Sequence, residues 1–271
     1  MEQIYQQLIK GIQEYFAKTG LSHVVIGISG GIDSALTLKL AVDALGPEKV
    51  TALSMPELGV SAQINIEHAY KLCEALEVTF FSQPINPFLI DFARLPWKPS
   101  KLAQQNTKAR IRAVLLYNYA NTTEALVLGT SNKSEILLGY GTKYGDLAAD
   151  LEVIGDLLKE EVFALADFVG LPKEIIEKAP TAELFSGQTD EVELGAKYSE
   201  LDPILKKIDL EKANFSEEDL IQKGMNPLLV HSVIRRVKAN KHKSEMPPII
   251  KIGKGETQKF EEVPENQTSL L

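Results

Sequence analysis

His23-Val24-Val25-Ile26-Gly27-Ile28-Ser29 runs without a break into Gly30-Gly31-Ile32-Asp33-Ser34, and from there into the apolar pattern of Asp33–Leu45 (DSALTLKLAVDAL). The first segment is a short β-branched run of the kind that forms a strand buried on both faces. The last is a helical pattern with an acid near its N-terminus. The glycine pair between them lets the backbone turn sharply and bring N–H groups close to a ligand. The alternation continues. Val50–Pro56 (VTALSMP) and Val78–Ile85 (VTFFSQPI) read as the second and third strands and Ala125–Thr130 (ALVLGT) as the fourth. The helices Ser61–Leu76 and Leu102–Ala120 intervene. Strands separated by helices imply right-handed crossovers and a parallel sheet covered on both faces. Ligands on such sheets sit beyond the carboxyl ends of the strands. Ser29, Met55–Pro56 and Thr130 fall there.

Outward from this unit, Ile4, Leu8, Ile12 and Phe16 repeat every four residues in an N-terminal amphipathic helix, whose stripe is core or subunit contact. The second half is mainly helical. Lys159–Val169 carries Val162, Leu165, Ala166 and Val169 on one face. Pro172 at a first-turn position starts a short helix. Asp190 with Glu193 resembles a capping box for a helix through Ser199. Asn226 caps a helix with Pro227 at its first position. Residues 1–252 read as a single domain, and Gly253–Leu271, polar and without period, as a loose tail.

The 271 residues are 44% apolar and 24% charged, ordinary globular usage. The longest run free of charged residues, Thr19–Ile32, is too short and too polar to cross a membrane, so no membrane partner is expected. The opening MEQIYQQLIKGIQEYF lacks a basic region and a small-residue cleavage site, and the expected compartment is the cytoplasm. A single cysteine, Cys73, excludes an internal disulfide and any CxxC motif. It lies on the apolar face of its helix with Ile66, Ala69 and Leu76 and reads as core. A net charge of −8 argues against a nucleic-acid partner. In the basic stretch Arg235–Lys243, Arg235, Arg236 and Lys238 read as ordinary surface charges at a helix C-terminus.

The chemistry concentrates at Gly27-Ile28-Ser29-Gly30-Gly31-Ile32-Asp33-Ser34. A glycine turn opening a helix offers N–H groups and the positive end of the helix dipole, a setting for phosphate. An acid beside an anion site makes sense if a divalent cation bridges Asp33 to the phosphates. The competing reading is a tight turn with Asp33 and Ser34 as caps. The loop is neither GxxxxGK[ST] nor GxGxxG.

The loop resembles the pyrophosphate loop of the N-type ATP pyrophosphatases, which split ATP between the α and β phosphates and adenylate an oxygen for later attack by nitrogen or sulfur. Three more segments narrow the resemblance. They are Leu128-Gly129-Thr130-Ser131-Asn132-Lys133-Ser134-Glu135, then Gly139-Tyr140-Gly141-Thr142-Lys143-Tyr144-Gly145-Asp146, and last Pro180-Thr181-Ala182-Glu183-Leu184 with Gly187-Gln188-Thr189-Asp190-Glu191. In this order and spacing, over roughly residues 5–245, the chain resembles the NAD synthetase family. The resemblance implies an α/β fold of the adenine nucleotide alpha hydrolase type, a parallel sheet of about five strands with helices on both faces. It implies a carbon–nitrogen ligase that activates the nicotinate carboxylate of deamido-NAD with ATP and displaces AMP with ammonia. Position by position, it implies that Gly27–Ser34, Thr130, Lys159 and Thr181 hold ATP, and that Asp33 and Glu135 hold Mg²⁺. Arg110, Lys143, Asp150, His242 and Lys243 would contact deamido-NAD. Asp33, Lys159 and Asp146 would be the catalytic group, Asp146 helping to desolvate or deprotonate ammonium. Asn106 and Arg110 share a helix face at i,i+4, whereas Arg112 points elsewhere.

Without the resemblance, Glu135 reads first as a first-turn acid favoured by the helix dipole, and Lys159 can be read as a solvated residue of the run KEE and Thr181 as a helix cap. The family pattern GYFTKYGDG, followed by D-[IL]-x-P, is altered here. Gly141 replaces the aromatic, Leu147 the last glycine, and Leu151-Glu152-Val153 lacks the proline. The chain has no room for the amidase domain of glutamine-dependent members, which implies free ammonia as nitrogen source. The family implies a homodimer, with the stripe Ala109, Ala113, Leu116, Tyr117, Ala120 or the N-terminal helix as candidate contact. Two other classes fit the loop alone: another adenylating amidotransferase or thiolating enzyme, and a non-catalytic adenine-nucleotide module.

Overall fold

β1 (His23–Gly27) is apolar on both sides and takes the centre of the sheet. The computed structural model describes residues 1–181, 189–211 and 216–250; the tail read over 253–271, together with 182–184 and 187–188 of the motif segments, lies outside them. Among the described residues, β1 pairs in parallel with β2 (Val50–Ser54) on one side and β4 (Ala125–Gly129) on the other. β3 (Thr79–Ser82) and β5 (Leu151–Glu152) form the edges, giving the order β3-β2-β1-β4-β5. The register sets Ile26 against Ala52 and against Leu128. The chain runs from β1 outward to β3 and returns across β1 to β4. The order therefore reverses between β1 and β4, and the loops leaving those two strands flank the crevice where such sheets bind ligands.

Alternate residues of each strand feed two different cores. Val24, Ile26, Ala52, Leu126 and Leu128 pack with Ile12 of α1 (Glu2–Thr19), with α2 (Ile32–Leu45), and with Cys73 of α3 (Gln63–Ala75). Val162 and Leu165 of α7 (Lys159–Phe168) and Ile175 of α8 (Lys173–Ile176) complete that layer. Val25, Leu53 and Val127 face the opposite side, against Ile111 and Ala120 of α5 (Lys101–Thr123) and Ile85, which precedes the short α4 (Asn86–Leu89). Each fully buried Ile or Leu contributes about 1.5–3 kcal/mol. α2 is inserted so deeply that Leu36, Leu38, Leu40 and Ala41 are all inaccessible.

The C-terminal helices assemble around a core of their own. Leu138 of α6 (Lys133–Leu138) joins Tyr198, Leu201, Ile204 and Leu205 of α10 (Tyr198–Glu211). Leu220 of α11 (Glu217–Gln222) and Val230, Val233 and Ile234 of α12 (Pro227–Asn240) complete it. Asn226 caps α12 as its sequence indicates, accepting from the Leu228 and Leu229 N–H groups at 3.0 and 3.4 Å. No described helix is long and apolar enough to cross a membrane.

Several expectations are corrected. Pro172 is the cap of α8, one position before its first turn. The helix expected from Asp190 through Ser199 is two helices. α9 (Asp190–Leu194) ends at Gly195 in the left-handed region at φ 79°, and α10 starts afresh at Tyr198. The N-terminal stripe, read as core or subunit contact, packs on the main core: Ile12 is buried, Ile4, Leu8 and Phe16 lie partly buried against it, and Tyr5 donates to Asp43 at 3.0 Å. On α5, Ala109, Ala113 and Ala120 are buried, while Leu116 and Tyr117 are partly buried against the α5 side of the sheet.

Burial pushes the Cys73 thiol up to about 12, which leaves almost no thiolate at neutral pH. Iodoacetamide is expected to leave Cys73 unmodified in the native protein and to label it fully in urea, as read by intact mass. Labelling of the native protein at the unfolded rate would contradict this packing.

Candidate active site

The turn after β1 is tied by its own hydroxyls. The Ser29 N–H donates to Ser34 Oγ at 3.2 Å, the Gly31 N–H to Ser29 Oγ at 3.2 Å, and Ser34 Oγ to the Gly31 carbonyl at 3.0 Å. Two of the loop's N–H groups are therefore engaged internally, and the first turn of α2, whose N–H groups a helix leaves without internal partners, is the anion-facing part. Gly30 sits at φ 77°, and a Cβ there would collide with the Asn65 carbonyl of α3, so this position requires glycine.

The loop after β4 meets it. Asn132 caps α6 in a capping box: its Oδ1 accepts the Glu135 N–H at 3.0 Å, and its own N–H donates to Glu135 Oε2 at 3.2 Å. Its Nδ2 donates across the crevice to Asp33 Oδ1 at 2.8 Å. One amide with no exposed surface thus fixes both acids. From α7, the Lys159 ammonium comes within 2.5 Å of Asp33 Oδ2 and 3.5 Å of Glu135 Oε1, and lies 5.4 Å from the centre of the Tyr198 ring. Burial alone would lower the Lys159 pKa; Asp33 and Glu135 reverse this and hold it above the usual lysine range. Burial, with Asp33 alongside, pushes the Glu135 carboxyl up to about 8.

Glu135 is the first-turn acid of α6 and also lines the crevice. The solvated reading of Lys159 is overturned, because the residue is 1% exposed. Two partly buried carboxylates sharing one ammonium are a donor set for a hard divalent cation that takes its remaining ligands from water and phosphate. Among the described residues no group of three or more His, Cys, Asp or Glu is arranged to hold a metal. As two hard oxygen donors, Asp33 and Glu135 suit a divalent cation such as Mg²⁺ that takes its other ligands from elsewhere.

Around them opens a cavity of about 810 Å³, in the range of ligand sites. It is lined by Gly27, Ile28, Ser29, Gly31, Ile32, Asp33 and Ser34, by Thr130, Glu135, Asp146 and Thr181, and by Arg110, Lys143, His242 and Lys243. Gly30, Lys159 and Asp150 are not among the lining residues. Lys159 stands behind the acids. Asp150 is turned into the sheet, where its carboxylate accepts from the Val127 N–H at 2.8 Å and the Tyr117 hydroxyl at 3.2 Å. Lys143 donates to the carbonyls of His242 and Glu245, and Lys243 to those of Gly139 (2.9 Å) and Gly141 (3.1 Å), so the two segments are laced together. Asp146 is exposed to the cavity and accepts the Thr142 N–H at 3.0 Å.

Arg110 donates to the Lys143 carbonyl at 3.3 Å. Arg112 does not point elsewhere: it lines the same cavity and donates to the Met55 carbonyl at 2.9 Å, clamping the end of β2. Arg236 is likewise no ordinary surface charge, since it lines the cavity and stacks 5.9 Å from the centre of the Tyr140 ring. Tyr140 and Tyr198 both donate to Asp190, at 3.1 and 3.3 Å. Glu152, at the end of β5, accepts the Ser131 N–H at 3.2 Å and braces the β4 loop; burial lifts its carboxyl to about 7.

The family model for NAD synthase matches residues 4–247. The chain belongs to the NAD synthase family. It is 44% identical over 249 residues to the NH(3)-dependent NAD(+) synthetase of Wolinella succinogenes, covering 92% of this chain and 95% of that one. Among solved structures it is similar to the NH3-dependent NAD synthetase of Campylobacter jejuni, determined with a nitrate ion, at a TM-score of 0.79 and 35% identity over 92% and 99% of the two chains. It is also similar to the NMN synthetase of Francisella tularensis, at a TM-score of 0.77 and 30% identity over 92% and 97%.

Two departures from the family pattern explain each other. A Cβ at Gly141 would lie 2.8 Å from Leu147 Cδ2 and from Asp146 Oδ2, so Leu147 fills the space a side chain at 141 would need. Bulk has moved from one position to the other. Val153, in place of the proline, is buried in the main core. Gly141→Phe is expected to lower Tm, because overpacking costs about 1–3 kcal/mol. Gly141→Phe with Leu147→Gly should restore most of it; a double variant no more stable than the single would refute the exchange.

Lys159→Met leaves Asp33 and Glu135 buried without their counter-ion, a change expected to cost about 3–5 kcal/mol. Thermal unfolding with and without Mg²⁺ checks the arrangement. The cation should raise the variant's Tm more than the wild type's, and equal shifts would argue that it does not reach these acids.

Proposed function

We propose that the chain is an ammonia-dependent ligase that converts deamido-NAD to NAD with ATP, releasing AMP and pyrophosphate, as the final step of NAD biosynthesis. The observation that carries this reading is the meeting of Asp33, Glu135 and Lys159 at the glycine turn, in a chain of this family. A carboxylate is a poor electrophile, and adenylation supplies the leaving group. One nicotinate carboxylate oxygen attacks the α-phosphorus, the bond to the bridging oxygen breaks, and pyrophosphate departs. Ammonia then adds to the acyl carbon, loses a proton, and expels AMP.

The chain's own groups serve each stage. The first turn of α2 offers N–H groups and dipole to the phosphates. Lys159 holds positive charge behind the acids that face them. Asp33 and Glu135 would hold Mg²⁺, which when bound neutralises charge accumulating on pyrophosphate. Thr130 and Thr181 contribute hydroxyls to the ATP side of the cavity. Arg110, Lys143 and Lys243 supply cations and His242 an imidazole to the wall for the dinucleotide, with Asp150 supporting that wall from the sheet. Asp146, a carboxylate lining the cavity, accepts a proton from ammonium. The name carried by the Wolinella relative supports ammonia over glutamine. The reading includes a homodimer, for which the exposed Phe88, Phe92, Trp97 and Val114 offer surface, and a cytoplasmic location, in keeping with one buried cysteine.

The similarity to an NMN synthetase favours one second reading, amidation of the mononucleotide acid. Purified protein with ATP, Mg²⁺ and ammonium separates the two: NAD should form from deamido-NAD, and nicotinic acid mononucleotide should be a poor acceptor. No NAD, or preference for the mononucleotide, overturns the first reading. Asp33→Asn keeps the side chain's shape and an oxygen for Asn132 but removes the charge facing Lys159. It is expected to cost about 2–4 kcal/mol of transition-state stabilisation, roughly a 30- to 1,000-fold loss in kcat/KM. Activity within about threefold of wild type at saturating Mg²⁺ would sink the role given to Asp33.

A further inference from the structure

Arg236 on α12 and Lys243 in the turn that follows are seven residues apart and both line the cavity. Burial pulls both cations below their ordinary pKa values. Lys243 is spent on two backbone carbonyls. Arg236 is not. Its guanidinium lies over the Tyr140 ring, whose hydroxyl is anchored by Asp190 at 3.1 Å and Glu193 at 2.7 Å. Among the described residues its fork makes one hydrogen bond, from Nη1 to the Glu193 carbonyl at a long 3.5 Å. A guanidinium carries five donors in a plane shaped for paired phosphate or carboxylate oxygens, and a mostly buried one with so few of them used is matched to an anion that arrives later.

We propose that Arg236 is a diphosphate contact of this active site. Tyr140 fixes the plane of the guanidinium from below, and the free edge of the fork grips phosphate oxygens of one substrate, either the polyphosphate of ATP or the diphosphate bridge of the dinucleotide. The assignment rests on the amidation reading for the identity of these two ligands.

The full chain is titrated calorimetrically with α,β-methylene-ATP and, separately, with deamido-NAD, for wild type, Arg236→Gln and Arg236→Lys. Arg236→Gln should weaken one ligand by about 10- to 150-fold, the worth of a charge-assisted hydrogen bond, and leave the other within about threefold. The affected ligand names the source of the phosphate. Arg236→Lys keeps a charge over the ring but loses the fork, and should fall between. Two ligands unchanged, or both weakened equally together with a drop in Tm, would overturn the proposal, the second by making Arg236 a brace for Tyr140. If Arg236→Gln does not fold, Arg236→Lys decides: a loss on one ligand supports the contact, and no loss on either refutes it. A wild type that binds both ligands yet forms no NAD sinks the amidation reading and leaves the Arg236 test standing.

Discussion

The ammonium of Lys159 held between Asp33 and Glu135 is the contact on which the rest of the structure turns. Its three members come from the first turn of α2, the first turn of α6 and the first residue of α7, so a single charge cluster joins the segments that follow β1 and β4 with the helix beyond β5. Burying an ammonium at 1% exposure is costly unless it is paired, and two adjacent, mostly buried carboxylates repel each other unless a cation stands among them. Each satisfies the other's requirement. The arrangement is possible only where the strand order reverses, because only there do two loops leave the sheet side by side.

Asn132 converts that proximity into fixed geometry. Its two hydrogen bonds to Glu135 make a local helix cap, and its third reaches an acid 99 residues earlier in the chain. A capping residue ordinarily settles only where a helix begins. Here the same amide also decides which oxygen of Asp33 faces Lys159, so secondary structure and site are specified by one side chain.

What the sequence discloses follows the range of the forces involved. The glycine turn, the cap at Asn226 and the alternating strands and helices are local, and they stand out because period and turn chemistry are written in adjacent residues. β5 is only two residues long and carries no period. It is a strand because β4 offers an edge, and Leu151-Glu152 has no local sign of it. Lys159 in its charged run looks solvated because nothing nearby shows that Asp33, 126 residues distant, will cover it. Arg112 is assigned to the wrong side by helical angle alone, since a long side chain reaches well past the direction of its Cα–Cβ bond. Arg236 is disguised by two neighbouring charges, Arg235 and Lys238, that are ordinary. The motifs named the place of the chemistry, and the neighbours that tune it were visible only in three dimensions.

The placement of β1 bears on how the chain is made. Its first partner, β2, emerges soon after it, but the other edge waits for β4, whose Ala125 pairs with His23, 102 residues later. At ordinary ribosomal speeds of about 5–20 residues per second, that edge stands open for roughly 5–20 s. For that interval a Val-Val-Ile strand with unpaired backbone groups could add a strand from any neighbouring nascent chain. The long amphipathic α1, made before β1 and already able to lie against α2, shields one apolar face of the half-built sheet but leaves this edge bare. The segment from α3 to α5 is therefore where slow codons or a bound chaperone would alter the yield of folded protein most.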